Sequence, residues 1–177
     1  MGKRNSEINI LNLVSAIFIW IITSVWIYII FMLSMENGYR SYARSYNIIS
    51  LIQETVNIEL TQTIIRKLAH IIEYGFLSVT IYLGLAYTNG ISQRYSLSTV
   101  PRKTVKHTNE LNIIYTFWLS TFISILDEYI QLFIEGREAT LIDILIDSGS
   151  IVVMLLFVRI FFMIKLSLLR ETEEEIG

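Results

Sequence analysis

Cysteine is absent from the 177-residue sequence, proline occurs once, and charged residues make up only 17% of the chain. Without cysteine there are no disulfides, thiolate nucleophiles, cysteine-ligated zinc ions or iron–sulfur clusters. One proline excludes a proline-rich linker. The formal net charge of −2 gives no general basis for binding nucleic acid. A disulfide-stabilised secreted protein and a nucleic-acid-binding protein are therefore disfavoured.

Apolar residues, by contrast, are abundant. Hydrophobic residues make up 53% of the chain and the mean hydropathy is +0.54. A soluble domain of this size has no core large enough to bury so much apolar surface, and it usually carries about 25% charged residues. The composition indicates a membrane protein.

Four apolar stretches predict helices that span a membrane. The first has no charged residue and is too long for a signal-peptide core, so we interpret it as a retained anchor. The third reaches bilayer length only if its helix continues past Asp127 and Glu128, which places both acids within the membrane. Because lipid cannot satisfy an open sheet edge, we predict an all-α polytopic fold. The expected spans are about residues 10–33, 66–88, 111–133 and 141–166.

The segment between the first two spans predicts one more helix. Apolar residues recur at every fourth position from 48 to 64, opposite polar side chains. We therefore expect an amphipathic helix at residues 47–65 in the first extracytoplasmic loop, lying on the end of the bundle or closing over a site as a lid. Residues 170–177 predict a frayed, acidic cytoplasmic tail. The whole chain, 1–177, is expected to form one domain.

Lysine and arginine predict the orientation. They are concentrated near both termini and in the second loop, whereas the third loop is acidic. The positive-inside rule then places both termini and the second loop in the cytoplasm. The first long loop is also basic and opposes this assignment.

Ionisable residues within the predicted spans need partners, because each costs roughly 2.5–3.5 kcal/mol on insertion scales. They fall on three helices at similar depths, and their spacing of three or four places each set on one face. The sets are Arg66, Lys67, His70, Glu73 and Tyr74; Asp127, Glu128 and Gln131; and Asp143 and Asp147, with Arg137 in the loop before the last set.

These residue types suit phosphate or carboxylate binding by cations, and hard-metal binding by carboxylates. A metal-assisted enzyme would use histidine and glutamate as acid and base, with Mg²⁺, Mn²⁺ or Ca²⁺ as the cation. The candidate roles are catalytic for His70, Glu73, Asp127 and Glu128, substrate-binding for Arg66, Lys67, Tyr74, Gln131 and Arg137, and metal-binding for Asp143 and Asp147.

Each assignment has a structural alternative. Arg66 and Lys67 suit snorkelling at a helix end, and His70 suits a packed, hydrogen-bonded position. The acids suit ion pairs with the nearby cations, Arg137 among them. Glycine 136 predicts a turn, and the pair at 149–150 predicts close helix packing.

The motifs RKLAHIIEYGFL and DEYIQLFIEGREATLIDILIDSGS resemble the VanZ-like membrane protein family. That family has R/D-K-x-x-H-x-x-x-Y/F, then D-E-x-x-Q-x-F-x-x-G-R, then D-x-x-x-D leading into glycine. The resemblance covers about residues 64–158. The sequence departs from the family after Gly149, where further glycines are often present. The matching residues are Arg66, Lys67, His70, Tyr74, Asp127, Glu128, Gln131, Phe133, Gly136, Arg137, Asp143, Asp147 and Gly149.

The resemblance implies a multi-pass protein of the bacterial cytoplasmic membrane, linked to resistance to the glycopeptide teicoplanin, and it implies no particular reaction. We therefore hypothesise an outward-facing pocket that binds or modifies an anionic envelope lipid or lipid-linked wall precursor. An enzyme of this kind would be a metal-assisted hydrolase or transferase acting on a lipid-linked phosphate. The alternatives are a non-catalytic immunity or accessory protein that shields precursors or binds a glycopeptide or an envelope partner, and an ion-coupled transporter.

Overall fold

A computed structural model describes residues 9–56, 61–90, 102–137 and 139–176, which contain five helices and no strand. Every helix except the second is long and apolar enough to cross a membrane. The prediction of an all-α fold with four spans is therefore confirmed. The helices are α1 (Ile10–Ser34), α2 (Gly38–Val56), α3 (Gln62–Gly90), α4 (Arg102–Gln131) and α5 (Leu141–Ile176).

The amphipathic helix of the first loop is present as α2, but its position differs from the predicted 47–65. It begins after Asn37, whose side-chain oxygen accepts a hydrogen bond from the Arg40 amide at 3.0 Å. A second helix, α3, begins after Thr61, whose hydroxyl oxygen accepts a hydrogen bond from the Ile64 amide at 3.4 Å. Two helices therefore share the predicted segment, and residues 57–60 between them lie outside the described ranges.

The spanning helices pack so that α1 contacts α3 and α4, while α5 contacts α3 and α4. At one end of the bundle, Nδ2 of the Asn12 side chain donates to the Gly90 carbonyl at 2.9 Å. At the other end, the Ser34 hydroxyl donates to the Asp127 carbonyl at 3.2 Å. We call the latter the site end, because it also contains the starts of α3 and α5.

A continuous series of buried polar side chains, the polar face of α4, runs along this helix. Its spacing of three or four keeps it on one side, toward the neighbouring helices. As a result, α4 has the lowest hydropathy of the four spans, 1.2. The members are Asn109, Asn112, Thr116, Ser120, Ser124, Asp127, Glu128 and Gln131.

The segment that follows α4, residues 132–137, contacts the start of α2 at two glycines. Gly136 has a φ of +74°, which confirms the predicted turn residue. The Gly38 amide donates to the Glu135 carbonyl at 3.0 Å, and a Cβ on Gly38 would lie 2.0 Å from the Gly136 oxygen. The first turn of α2 therefore lies against this loop without room for a side chain.

One prediction for α5 is wrong, and it concerns Gly149. The helix itself continues to Ile176, since neither glycine nor proline interrupts it after Gly149, and fraying of its acidic end stays a prediction. Gly149 does not mediate close packing, since a Cβ there would meet nothing within 4 Å. Gly75 makes the closer approach, with an added Cβ lying 3.2 Å from Cγ of Met154.

Candidate functional site

Asp147 links three helices at the site end. Its side chain is fully buried on α5. His70 Nδ1 on α3 lies 3.2 Å from Asp147 Oδ1, and the Ser124 hydroxyl on α4 donates to Oδ2 at 2.6 Å. Both carboxylate oxygens are thus engaged by protein groups, as a buried acid requires.

Asp127 lies beside this link and is only partly satisfied. The Tyr74 hydroxyl, which is completely buried, donates to Asp127 Oδ2 at 2.9 Å. Oδ1 of Asp127 is buried and has no hydrogen-bond partner. One oxygen of an almost fully buried carboxylate is therefore left for a ligand or for solvent.

Glu128 joins the end of α4 to the following loop. The Thr140 amide donates to Glu128 Oε2 at 3.0 Å. The Gln131 amide nitrogen lies 3.4 Å from both Glu128 Oε1 and Asp127 Oδ2. These two contacts are long for hydrogen bonds, so Glu128 Oε1 is weakly held.

His70, Asp127 and Glu128 each offer a ligand atom, and these atoms lie within 4.8 Å of one another. The two acids proposed from the sequence as metal ligands have separate partners instead. Asp143 caps α5 with Thr140, whose hydroxyl donates to Asp143 Oδ2 at 2.9 Å and accepts from the Asp143 amide at 3.2 Å. Asp147 is bound by histidine and serine, as described above.

Arg137 binds the end of α1. Its Nη2 donates to the Leu33 carbonyl at 2.6 Å and its Nε donates to the Glu36 carbonyl at 3.0 Å. These are carbonyls of the kind that a helix end leaves without intrahelical partners. Burial and the nearby guanidinium groups of Arg66 and Arg44 lower the pKa of Arg137 from its ordinary value. Three arginines are therefore crowded at this end of the bundle.

The three arginines line one cavity of about 240 Å³ between α1, α2, α3 and α4, which we call the basic cavity. Arg44 also forms an ion pair with Glu36 at 2.7 Å. Acidic groups border the same space, so the cavity holds charges of both signs. Its titratable lining residues are Arg44, Arg66, His70, Glu73, Asp127 and Arg137.

A second cavity of about 240 Å³, the lateral pocket, lies between the starts of α3 and α5. Arg66 and His70 border both cavities, and Lys67 and Asp143 border this one. The residues one turn further along each helix line an apolar groove of about 720 Å³. On α3, Lys67 lines the lateral pocket, and Ile71, Gly75 and Val79 line the groove. On α5, Ile142 lines the lateral pocket, and Ile146, Gly149 and Val153 line the groove.

The structure connects six predicted residues by direct contacts and places the others around them. Sequence reasoning missed Arg44, Ser124 and Thr140. Ser124 had a signal, because it lies four residues before Glu128 on the same helical face. Arg44 had none, since the sequence placed it before the predicted amphipathic helix. The six connected residues are His70, Tyr74, Asp127, Glu128, Gln131 and Asp147.

The sequence model of a family described as VanZ/LLP1 matches residues 18–162, which is most of the chain. The chain belongs to the VanZ/LLP1 family. This confirms the resemblance, and with four apolar helices it makes the chain a multi-pass membrane protein of the VanZ family. No curated protein and no solved structure matches it.

Proposed function

We propose that this VanZ-family protein binds the anionic headgroup of an envelope lipid, of the lipid-linked wall-precursor class, at the outer side of the bacterial cytoplasmic membrane. One observation carries the proposal: the lateral pocket, with Arg66 and Lys67, continues in register into the apolar groove. A cationic site at the end of a hydrocarbon-lined slot is complementary to a lipid that has a phosphate at one end.

The arginines supply the recognition of the headgroup. Arg44, Arg66 and Arg137 line one cavity, where their like charges repel one another. An anion between them relieves that repulsion, and a guanidinium group binds two phosphate oxygens at once. Arg66 borders both cavities, so it can contact a headgroup entering from the lipid side.

The groove explains why the ligand would be a lipid and not a soluble anion. Bilayer chains are as apolar as the groove, so occupying it gains packing contacts and little hydrophobic free energy. We therefore expect the headgroup to supply most of the affinity, while the groove selects ligands with a chain. Gly149 keeps the groove open, because its missing side chain would have pointed into free space.

The sidedness of the proposal follows from the basic residues near both termini. With both termini in the cytoplasm, the site end faces outward, where wall precursors are used. Binding there is compatible with modifying such a lipid or with shielding it, the two roles considered from the sequence.

Lipid binding is tested with purified protein in detergent and fluorescent phosphatidic acid, with phosphatidylcholine as the zwitterionic comparison. Phosphatidic acid is expected to bind saturably, and Arg66→Gln should weaken that binding about 10- to 150-fold, since a charge-assisted hydrogen bond contributes about 1.5–3 kcal/mol. The matched control is Arg159→Gln, because Arg159 pairs with Glu110 at the opposite end of the bundle. Equal affinity for both lipids, or equal losses in both variants, contradicts the proposal.

The groove is tested separately by Gly149→Trp, which fills it. The matched control is Leu145→Trp, since Leu145 lies one turn away, is 69% exposed and does not line the groove. Only the first variant should weaken phosphatidic acid binding, and neither should change binding of inorganic phosphate. If the two tryptophan variants bind phosphatidic acid equally, the chain does not lie in this groove.

Ion-coupled transport is a second candidate, and the polar face of α4 favours it. That face covers about 33 Å by helical rise, which is about the thickness of the hydrocarbon core. The Thr116 and Ser120 hydroxyls on it are buried without hydrogen-bond partners. Proteoliposomes with a trapped pH-sensitive dye test this: proton flux that Ser120→Ala abolishes would favour transport, and its absence would leave lipid binding as the function.

A further inference from the structure

His70, Asp127 and Glu128 share one arrangement of their polar atoms. In each side chain, one atom is held by another part of the protein: His70 Nδ1 by Asp147, Asp127 Oδ2 by Tyr74, and Glu128 Oε2 by the Thr140 amide. The remaining atom of each is a lone-pair donor that the protein uses weakly or not at all. We infer that these three residues bind a divalent transition-metal ion at the wall of the basic cavity.

The unpartnered oxygen of Asp127 points to a ligand independently of the clustering. Asp127 is 3% exposed, and its Oδ1 is buried without a hydrogen-bond partner. Leaving such an oxygen unsatisfied is costly, and a membrane protein has little reason to keep it unless something binds it. A cation supplies the missing partner.

Asp147 acts in this arrangement as a positioning residue. Metal-bound histidines nearly always donate their other ring N–H to a carboxylate or carbonyl, which sets the tautomer and the ring orientation. Asp147 takes this place at His70 Nδ1, and the Ser124 hydroxyl in turn fixes Asp147. Nδ1 then carries the proton, and Nε2 is the nitrogen left to bind the metal.

The donor set selects the metal. One imidazole and two carboxylates suit Mn²⁺ or Zn²⁺, whereas Mg²⁺ and Ca²⁺ prefer oxygen ligands throughout. One ligand atom from each of the three side chains lies within 4.8 Å of the other two. That spacing accommodates one ion with bonds of about 2.0–2.2 Å after small side-chain adjustments.

The role of the ion rests on the proposed function, whereas its binding does not. His70 borders both the basic cavity and the lateral pocket, so a metal on it would lie beside a phosphate held by Arg66. A divalent ion there neutralises and polarises phosphate oxygens. The chemical class of ligand is then a lipid phosphate that is coordinated as well as ion-paired.

The test measures metal binding by the purified protein in detergent, without lipid. Metal-free protein is titrated with MnCl₂ and the bound ion is followed by electron paramagnetic resonance, with ZnCl₂ as competitor. We expect one saturable Mn²⁺ per chain that Zn²⁺ displaces. Glu128→Gln and Asp127→Asn should abolish it, and Asp147→Asn should weaken it about 10- to 100-fold, as loss of an outer-shell partner typically does.

Two controls separate this site from other acids. Glu110→Gln removes a carboxylate at the opposite end of the bundle, and Glu135→Gln removes an exposed one in the segment after α4; both should keep wild-type Mn²⁺ affinity. Circular dichroism and gel filtration identify variants that fail to fold, and a misfolded variant is replaced by Glu128→Asp, which should shift affinity and not abolish it.

Folded wild-type protein that binds neither ion overturns the metal site, and so does Mn²⁺ binding that survives Glu128→Gln. In that case a protonated His70 balances the carboxylates as a closed network. Lipid binding measured with and without EDTA separates the two proposals. Lipid binding without metal binding refutes only the ion, and metal binding without lipid binding refutes only its role.

Discussion

Arg137 stabilises a helix end at the residue scale. Its two hydrogen bonds connect the segment after α4 to the Leu33 carbonyl in the last turn of α1 and to the Glu36 carbonyl just beyond that helix. Arg137 therefore holds α1 and α4 together at the site end. Its guanidinium group also lines the basic cavity.

Arg137→Ala should lower the free energy of unfolding by about 1.5–3 kcal/mol, since hydrogen bonds from a charged donor contribute this much. Arg137→Lys should recover part of the loss, because one ammonium group lacks the fork that reaches both carbonyls. Denaturant unfolding in detergent measures this. An exposed ion-pair control, Arg159→Ala, should cost only about 0–1 kcal/mol, and equal losses would contradict the capping role.

Gly149 and Gly75 provide a second test at this scale. Gly149→Ala should raise the free energy of unfolding by about 0.5–1 kcal/mol, because alanine loses less backbone entropy in a helix and its Cβ meets nothing. Gly75→Ala should gain less or lose stability, since its Cβ would press on Met154 at 3.2 Å. Thermal unfolding of the two variants compares them directly, and the reverse order would show that the groove closes.

The residues of the site were predictable because charged groups are rare in apolar helices. Their partners were harder to predict. Ser124 shares a helical face with Glu128, but only the packing of α4 against α5 brings its hydroxyl to the Asp147 carboxylate. Thr140 follows α4 by nine residues, and only the tertiary fold brings its amide to Glu128. The prediction of close packing at Gly149 was wrong because a glycine in a helix is equally compatible with close packing and with an open groove.

At the scale of elements, α2 is the helix that the sequence located least well. Its buried residues are Ser41, Ser45 and Ile49, spaced by four. Two of these are serines, so the inward face has no apolar signature. Ile48, which belongs to the apolar stripe used for the prediction, is 41% exposed. The four spans, by contrast, were predictable because length and hydropathy are enough to define them.

Gly38→Ala tests how α2 is held. Its Cβ would lie 2.0 Å from a backbone oxygen, so α2 must move away from the loop and take Arg44 with it. We expect phosphatidic acid binding to weaken about tenfold while the spans stay folded by circular dichroism. Gly84→Ala is the matched glycine control, because Gly84 lines neither cavity nor the groove and its added Cβ would press only on the Trp20 side chain. Unchanged lipid binding in Gly38→Ala would show that Arg44 takes no part.

At the scale of the whole molecule, orientation decides which side of the membrane the site faces. We expect Glu135→Cys at the site end to react with an impermeant thiol reagent in intact cells, and His107→Cys at the opposite end to react only after permeabilisation. The native chain has no cysteine, so labelling reports only the introduced residue. The opposite pattern would place the site in the cytoplasm and rule out a wall-precursor ligand on the outer side.

The polar face of α4 also has a consequence for how the protein is made. The hydropathies of α1 and α5 are 2.5 and 2.3, whereas α4 has a hydropathy of 1.2 and carries three carboxylates, Glu110, Asp127 and Glu128, so α4 is the span that leaves the translocon for lipid least readily. α1 and α3 precede α4 along the chain and bring Ser34 and Tyr74 to Asp127. The hydrogen bond from the Ser124 hydroxyl to Asp147, however, forms only after α5 has been synthesised. The third span therefore completes its polar contacts only after the last span has been synthesised, and we expect the final two helices to insert together.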